Sequence, residues 1–519
     1  MLSAHRDLAR LRPADGLGLY ASAGELFSQA IFGRDSATAS EYLLHLKPEL
    51  ARGVILTLAR LQGIVEAPNG LHTNEEEPGK IHHEHRSLYI GGRRISPNSE
   101  QHLKYLTRQW GGDENSMTYY GSVDATPLFV RLVARYCASH GSAILDETVK
   151  HKSGGEWKVR DSVLAAVDWI TRSMDRSSLG FVEFRRKNPE GIPFQVWKDS
   201  GTSYLHKDGF LANFDQPIAA IEVQGYAYDA LVGAADLFAG RQPARARDWH
   251  DRAQALRERL IREFWMPNDR YFAMGIDRDA GGHPRWIDSI ASNAALLLDT
   301  GVFDELSDAD EYVGSLVETI CGPEFLTEVG IRCRAASETP LVDFEDYHGS
   351  WAVWMKETFD VLKGLRRQGM PELSRQLGVR MLNAVNVAGA HVEFLYVSPD
   401  QRVMYDIRGD QPLSSNPQEI AGTNFPEHPL AWTVTGTLAL KLWFGSRPLC
   451  GTALASPERS ALEARVLHQM PPVRLLRTAG ELQAAYNRRG DFVLNLPLGQ
   501  ERDRAARRRG PSQDLPQAA

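Results

Sequence analysis

The chain has 519 residues, 43% of them hydrophobic and 24% charged, with a formal net charge of -7 and a pI of about 6.2. That balance is globular and excludes the basic surface of a nucleic-acid or anionic-membrane partner. Four scattered cysteines (Cys137, Cys321, Cys333, Cys450) form neither a disulfide framework nor a metal-ligand pattern. No apolar run reaches membrane-span length, and Met1-Leu-Ser-Ala-His-Arg-Asp-Leu8 lacks the apolar stretch of a signal peptide. The expectation is a soluble cytoplasmic protein, with the oligomeric state left open and a homo-oligomer among the possibilities.

Residues 1–22 read as a polar lead-in. Leu50, Val54, Leu58 and Leu61 then fall on one face of a helix. Pro127 suits the first turn of a helix through Cys137, where its missing N–H costs nothing. Asp161 is placed to cap a helix carrying Val163, Ala166, Val167 and Ile170. Pro217 opens an apolar run to Phe238, and further helical patterns cover 244–264, 288–299, 309–320, 350–366, 371–388 and 428–445. Strand-like alternation is rare and short, clearest at 391–397 and again at 491–496. The reading is therefore all-α, with roughly ten to twelve helices. Long polar loops at 65–122, 176–216, 322–349 and 389–427 recur at about every second helix, and loops of that length usually carry function. Helix pairs with their loops on one side suit a closed ring of hairpins with one mouth. The expected division is a lead-in over 1–22, a helical domain over 23–446, an extension over 447–500 and a disordered tail over 501–519.

The stretch Gln195-Val-Trp-Lys-Asp-Ser-Gly-Thr-Ser-Tyr-Leu-His-Lys-Asp-Gly209 is too polar and Gly-bounded for an element interior, so it reads as a loop. Asp199 stands two residues after Trp197. The ring offers a flat face to a pyranose, and an apolar wall raises a carboxyl pKa until it holds a proton near neutrality. The plainer reading is a surface Asx-turn. Phe32-Gly-Arg-Asp-Ser36 precedes a helix; Asp35 or Ser36 caps it, or Arg34 and Asp35 grip sugar hydroxyls. In Glu75–Arg86 the histidines His82, His83 and His85 fit no standard metal spacing, and Glu84 and Arg86 suit a polar pocket lining. Tyr120 is expected to face a ligand and Asp124 to cap the next helix. Asp346-Tyr-His-Gly-Ser-Trp-Ala-Val-Trp354 brings His348 beside two tryptophans that read more as core than as platform. Near the end, Asn416-Pro-Gln-Glu-Ile-Ala-Gly422 and Phe425-Pro-Glu-His-Pro-Leu-Ala-Trp432 supply Glu419, a natural partner for Asp199, with Glu427 as its competitor.

Taken in order, these motifs resemble the glucosidase domain of glycogen-debranching, amylo-α-1,6-glucosidase-like proteins. Glu222-Val-Gln-Gly-Tyr-Ala-Tyr228 and His348-Gly-Ser350 belong to the same series, which runs from about residue 23 to 446. The resemblance implies an (α/α)6 six-hairpin toroid and an inverting glycoside hydrolase on an α-glucosidic bond, with no cofactor. Asp199 is then the general acid and Glu419 the general base. Arg34, Asp35, Glu84, Arg86, Tyr120, Asp124, Trp197, Arg332, His348 and Trp432 line the sugar site. The chain has no β-rich domain before the helices and no transferase barrel, which favours smaller α-glucosides over glycogen. Two other readings stay open: a sugar epimerase using His206 or His348, and a non-catalytic carbohydrate-binding protein.

Overall fold

The computed structural model describes residues 2–14, 18–24, 27–341, 346–398, 401, 426–445 and 456–477. Its α-helices are α1 (Leu2–Arg10), α2 (Gly33–Tyr42), α3 (Pro48–Arg60), α4 (Pro97–Trp110), α5 (Ala125–His140), α6 (Val159–Arg176), α7 (Ile221–Phe238), α8 (Pro243–Phe264), α9 (Ala309–Ile320), α10 (Met355–Arg367), α11 (Pro371–Ala388), α12 (Ala431–Gly445) and α13 (Pro457–Gln469). Helices dominate, but short antiparallel ribbons of two or three strands connect them. Among the described residues no helix is long and apolar enough to cross a membrane.

Most predicted helices are present. The runs at 244–264, 309–320 and 371–388 correspond to α8, α9 and α11. The run at 288–299 folds instead as a 3-10 helix over Ser292–Asp299. The helix expected from Pro217 begins four residues later, because Ala219–Ala220 pairs with Gly275–Ile276 first. Ala352–Trp354 likewise forms a strand against Phe394–Tyr396 before α10 starts. Asp161 lies inside the first turn of α6 and is not its cap. Three α-helices have no counterpart in the sequence reading. α4 sits inside the predicted 65–122 loop, although Ser96 caps it by accepting from the Ser99 N–H and Leu103, Leu106 and Trp110 give it an apolar face. α13 follows residue 447 and is capped by Ser456. The polar lead-in holds α1, whose Ala4 and Leu8 join the main core with Leu11 just beyond it. The strand read at 491–496 lies outside the described residues.

The packing has a simple order. α2 lies against α5, and α5 against α7. α7 contacts the Ser292–Asp299 helix, which lies on α10. α10 touches α12, and α12 returns to α2. The remaining helices lie outside this succession: α3 on α2 and α5, α6 on α5, α8 on α7, α9 on the 3-10 helix, α11 on α10, and α1 on α12. Inner helices must shed side-chain bulk where they meet. Gly225 of α7 and Gly364 of α10 do so: a Cβ there would come within 2.6 Å of Leu297 and Leu298, respectively.

The inner helices carry polar residues where a core would be apolar. Arg34 and Glu41, Asp124 and Arg131, Glu222 and Asp229, Ser292 and Asp299, and Lys356 and Lys363 each stand seven positions apart. In the α-helices seven residues are two turns, about 10 Å, and return to nearly the same face; Ser292 and Asp299 join the two layers from opposite ends of the 3-10 helix, where seven residues rise about 14 Å. Two polar layers result. The far layer is ionic: Arg131, Arg135 and Lys363 interlock with Glu41, Asp229 and Asp299. Burial opposes the Glu41 charge, but Arg131, Arg135 and Lys363 outweigh it and hold its carboxyl at about 2. The near layer, at the helix N-termini, contains the candidate site.

Candidate active site

Gly33 opens α2 because His82 leaves no room: a Cβ there would lie 2.2 Å from the His82 carbonyl oxygen. The next residue, Arg34, is buried, as is Asp35. Neither Asp35 nor Ser36 caps the helix; the Ser36 hydroxyl donates to the Leu19 carbonyl instead. Arg34 Nη1 donates to Asp124 Oδ2 at 3.1 Å, and Nη2 to Asp199 Oδ2 at 3.2 Å. Its Nε stands 3.7 Å from Asp35 Oδ2. One guanidinium thus faces three carboxylates. Asp124 is committed to this cluster and makes no cap bond to α5, contrary to expectation.

The three carboxyls are not equivalent. The Asp199 side chain keeps 24% exposure, the most open of the three. Burial pushes its pKa up to about 6, against the pull of Arg34. Burial raises Asp35 to about 7, with Arg34 and Lys356 opposing and Asp199 and Asp124 assisting. Asp199 therefore exchanges its proton near neutrality, the property a general acid needs. Asp35 Oδ2 and the Trp432 indole N–H make no hydrogen bond among the described residues. A hydroxylated ligand would satisfy both.

Trp197 corrects the sequence reading in one respect. Its ring is 2% exposed and offers no open face. Trp354, Trp432 and His348 meet it edge-on, and Lys356 Nζ sits 4.3 Å from its centroid. Its indole N–H donates to Glu357 of α10, which also accepts from Ser292 and stands 3.4 Å from Lys198 Nζ. Trp197 is an anchor for the acid loop rather than a stacking platform.

Several other expected contacts are also occupied elsewhere. The Tyr120 hydroxyl is buried, donating to the Leu61 carbonyl and accepting from Lys152. Glu84 and Arg86 form a buried pair, on a strand between Ala30–Phe32 and Ser116–Tyr119. Arg332 donates to the backbone carbonyls of Ser350, Val397 and Ser398, bracing two loops. His348 is stacked on Trp354 and hydrogen-bonded to Ser200 through Nδ1. Burial, with Lys198 and Arg34 nearby, holds His348 neutral. His206 belongs to a separate network, 3.2 Å from Asp277. Among the described residues no group of three His, Cys, Asp or Glu side chains is placed to hold a metal ion.

Glu419 lies outside the described residues. Two other carboxyls, Glu393 and Glu427, are described close together. Glu393 accepts from the Tyr347 hydroxyl and from the Glu427 N–H, the latter at 3.1 Å. Glu427 Oε2 accepts from Ser22 at 2.7 Å. Tyr347, hydrogen-bonded to Glu393, lies within electrostatic reach of both Asp199 and Glu427. Burial raises the Glu393 pKa, and Glu427 and Asp35 add to the effect. Glu393 was unread as a site residue. Its signal was a carboxyl in a segment, His391–Val397, whose neighbours are all apolar or aromatic.

No protein-family model matches the chain, and no curated protein matches it. Solved structures do resemble it. The GH63 mannosylglycerate hydrolase from Thermus thermophilus in complex with Tris and D-glycerate superposes with a TM-score of 0.53 at 15% identity, over 84% of this chain and 98% of that one. The same enzyme in complex with glucose gives 0.52 at 13% identity, over 86% and 99%. An uncharacterized conserved protein from the same organism gives 0.52 at 14% identity, over 85% and 99%. The likeness is one of fold.

Proposed function

We propose that the chain is an inverting glycoside hydrolase acting on a small α-glucoside or a related α-glycoside. The observation that carries the proposal is Asp199: a partly open carboxyl, held by Arg34 among the N-termini of the inner helices, with its proton affinity raised into the range of a general acid. The fold reading that goes with it is an (α/α)6 toroid, residues 23–446, and the return of the inner-helix contacts to α2 supports it. The solved glycosidases of similar fold support the reaction class, and the motif series supports kinship with amylo-α-1,6-glucosidases. Buried thiols at Cys137, Cys321 and Cys333 fit a reducing, cytoplasmic setting.

In this mechanism Asp199 donates its proton to the glycosidic oxygen as the C1–O bond breaks. A second carboxylate takes a proton from water, which attacks C1 from the opposite face, so an α-linked substrate releases a β-sugar. Arg34 steadies Asp199 after it has given up its proton, and Asp35 and Trp432 offer partners to sugar hydroxyls. We assign the base to Glu419. The geometry around Tyr347 supports a second assignment, the Glu393–Glu427 pair, in which Glu393 accepts from the Tyr347 hydroxyl and the Glu427 N–H. The epimerase reading is the weaker one: His348 is held neutral and His206 is engaged with Asp277.

Time-resolved proton NMR tests the proposal on α-linked disaccharides, α-glucosyl- and α-mannosylglycerate, and a branched limit dextrin. The expected result is a first-formed β-anomer from at least one substrate. A first-formed α-anomer, or isomerisation of a free sugar without hydrolysis, would remove the proposal. Glu419→Gln, Glu393→Gln and Glu427→Gln identify the base, because only loss of the true base leaves binding intact while abolishing turnover.

A further inference from the structure

Lys356 has no part in the chemistry described so far, yet it is a buried cation in the first turn of α10, 2% exposed. Its ammonium donates to Asp360 Oδ2 at 2.8 Å, one turn along the same helix. Asp360 is itself fixed from α2, since the Tyr42 hydroxyl donates to its Oδ1 at 2.6 Å. The other side of the ammonium meets the Trp197 ring at 4.3 Å. Arg34 approaches the same ring at 5.8 Å, and the Trp197 indole N–H is tied to Glu357, the neighbour of Lys356. An ammonium is costly to bury unless partners replace its water, so two partners of this kind are not incidental. Cation–π attraction strengthens when the cation is dry. The charged and titratable groups that face it are Asp360 on α10, Tyr42 and Asp35 on α2, and His348 beside the acid loop.

We propose that Lys356 is a positioning residue of the acid loop: pinned by Asp360, its ammonium clamps the Trp197 ring and thereby sets the place of the Asp199 carboxyl two residues on. For catalysis the inference rests on the glycosidase reading; for the loop it does not. The clamp links α2 and α10, two members of the inner succession, through a residue of the loop between α6 and α7. Arginine could keep both contacts, because its guanidinium donates to a carboxylate and stacks on an indole. Methionine keeps the volume and loses the charge.

The test compares Lys356→Met, Lys356→Arg and the double variant Lys356→Met/Asp360→Leu, which removes the carboxylate that the single change would leave unpaired. Hydrogen exchange of peptides spanning 194–205 is measured in the free protein, with peptides from α5 and α8 as controls. Both methionine variants should exchange at least tenfold faster in 194–205 and unchanged in the controls, and the arginine variant should return to wild-type protection. Where a cleaved glycoside has been found, the methionine variants should lose at least tenfold in kcat with KM changed less than threefold. Unchanged protection in 194–205 in a folded double variant would overturn the proposal, whatever the chain hydrolyses. A loosened loop in a protein with no activity on any glycoside would keep the clamp and remove the glycosidase reading.

Discussion

Asp199→Asn makes a prediction in which activity and stability move in opposite directions. The folded protein raises this carboxyl from 3.8 to about 6. The net shift of about 2 pK units already contains the attraction of Arg34, and at about 1.4 kcal/mol per unit it amounts to about 3 kcal/mol. The sign follows from linkage. The folded state binds the proton more tightly than the unfolded chain, so the ionised carboxyl burdens the fold above pH 6 and the burden disappears as pH falls towards 3.8. Asparagine carries no charge at any pH, and Arg34 keeps Asp124 at 3.1 Å. The variant should therefore be more stable than wild type by about 1–3 kcal/mol at pH 8, with the difference roughly halved at pH 5. Turnover should fall by about 10²–10⁴-fold, the scale of a lost general acid. Urea unfolding at the two pH values, read by tryptophan fluorescence, measures the first effect and the NMR hydrolysis assay the second. A variant less stable at pH 8, or one whose stability difference ignores pH, would show that Asp199 is an ion-pair carboxylate and not a strained, proton-holding acid.

Three other perturbations have definite expected outcomes. Glu41→Gln breaks the far ionic layer; with its carboxyl held at about 2 instead of 4.5, the cost should be about 3 kcal/mol at pH 7 and shrink as pH falls from 4.5 towards 2, as urea midpoints at pH 7 and 3 would record. Glu357→Leu leaves Lys198, 1% exposed at its side chain, without its carboxylate and should cost about 3–5 kcal/mol, whereas Glu357→Gln keeps an acceptor for the Trp197 indole and should cost less; thermal unfolding of the two ranks them. Gly33→Ala drives a Cβ against the His82 carbonyl at 2.2 Å and should destabilise by about 1–3 kcal/mol while displacing Arg34, so that activity falls further than stability explains.

Much of this protein is legible in local spacing. Apolar recurrence at Leu50, Val54 and Leu58 identifies α3, because burial of one helix face imposes its own period on the sequence. Asp199 could be singled out because a carboxyl beside a tryptophan in a polar, Gly-bounded loop is a local pattern. The 3-10 form of Ser292–Asp299 and the strands before α7 and α10 were not legible, since each is decided by partners far along the chain.

The division is sharpest in the site. Sequence alone determines which side chains can donate, accept or hold charge: Arg34, Asp35, Asp124, Asp199 and Trp197 are all nameable before any fold is known. Tertiary structure alone decides which of them remain available. Tyr120 and Arg332 have the chemistry of ligand contacts, but Leu61, Ser350, Val397 and Ser398 occupy them. Trp197 has a sugar-binding face, but Lys356 covers it. Glu393 looks like one residue of a short strand until Tyr347 and Glu427 close around it. A side chain's functional groups are covalent and travel with the sequence, whereas its remaining hydrogen-bonding capacity and proton affinity depend on neighbours that only folding brings within a few ångströms.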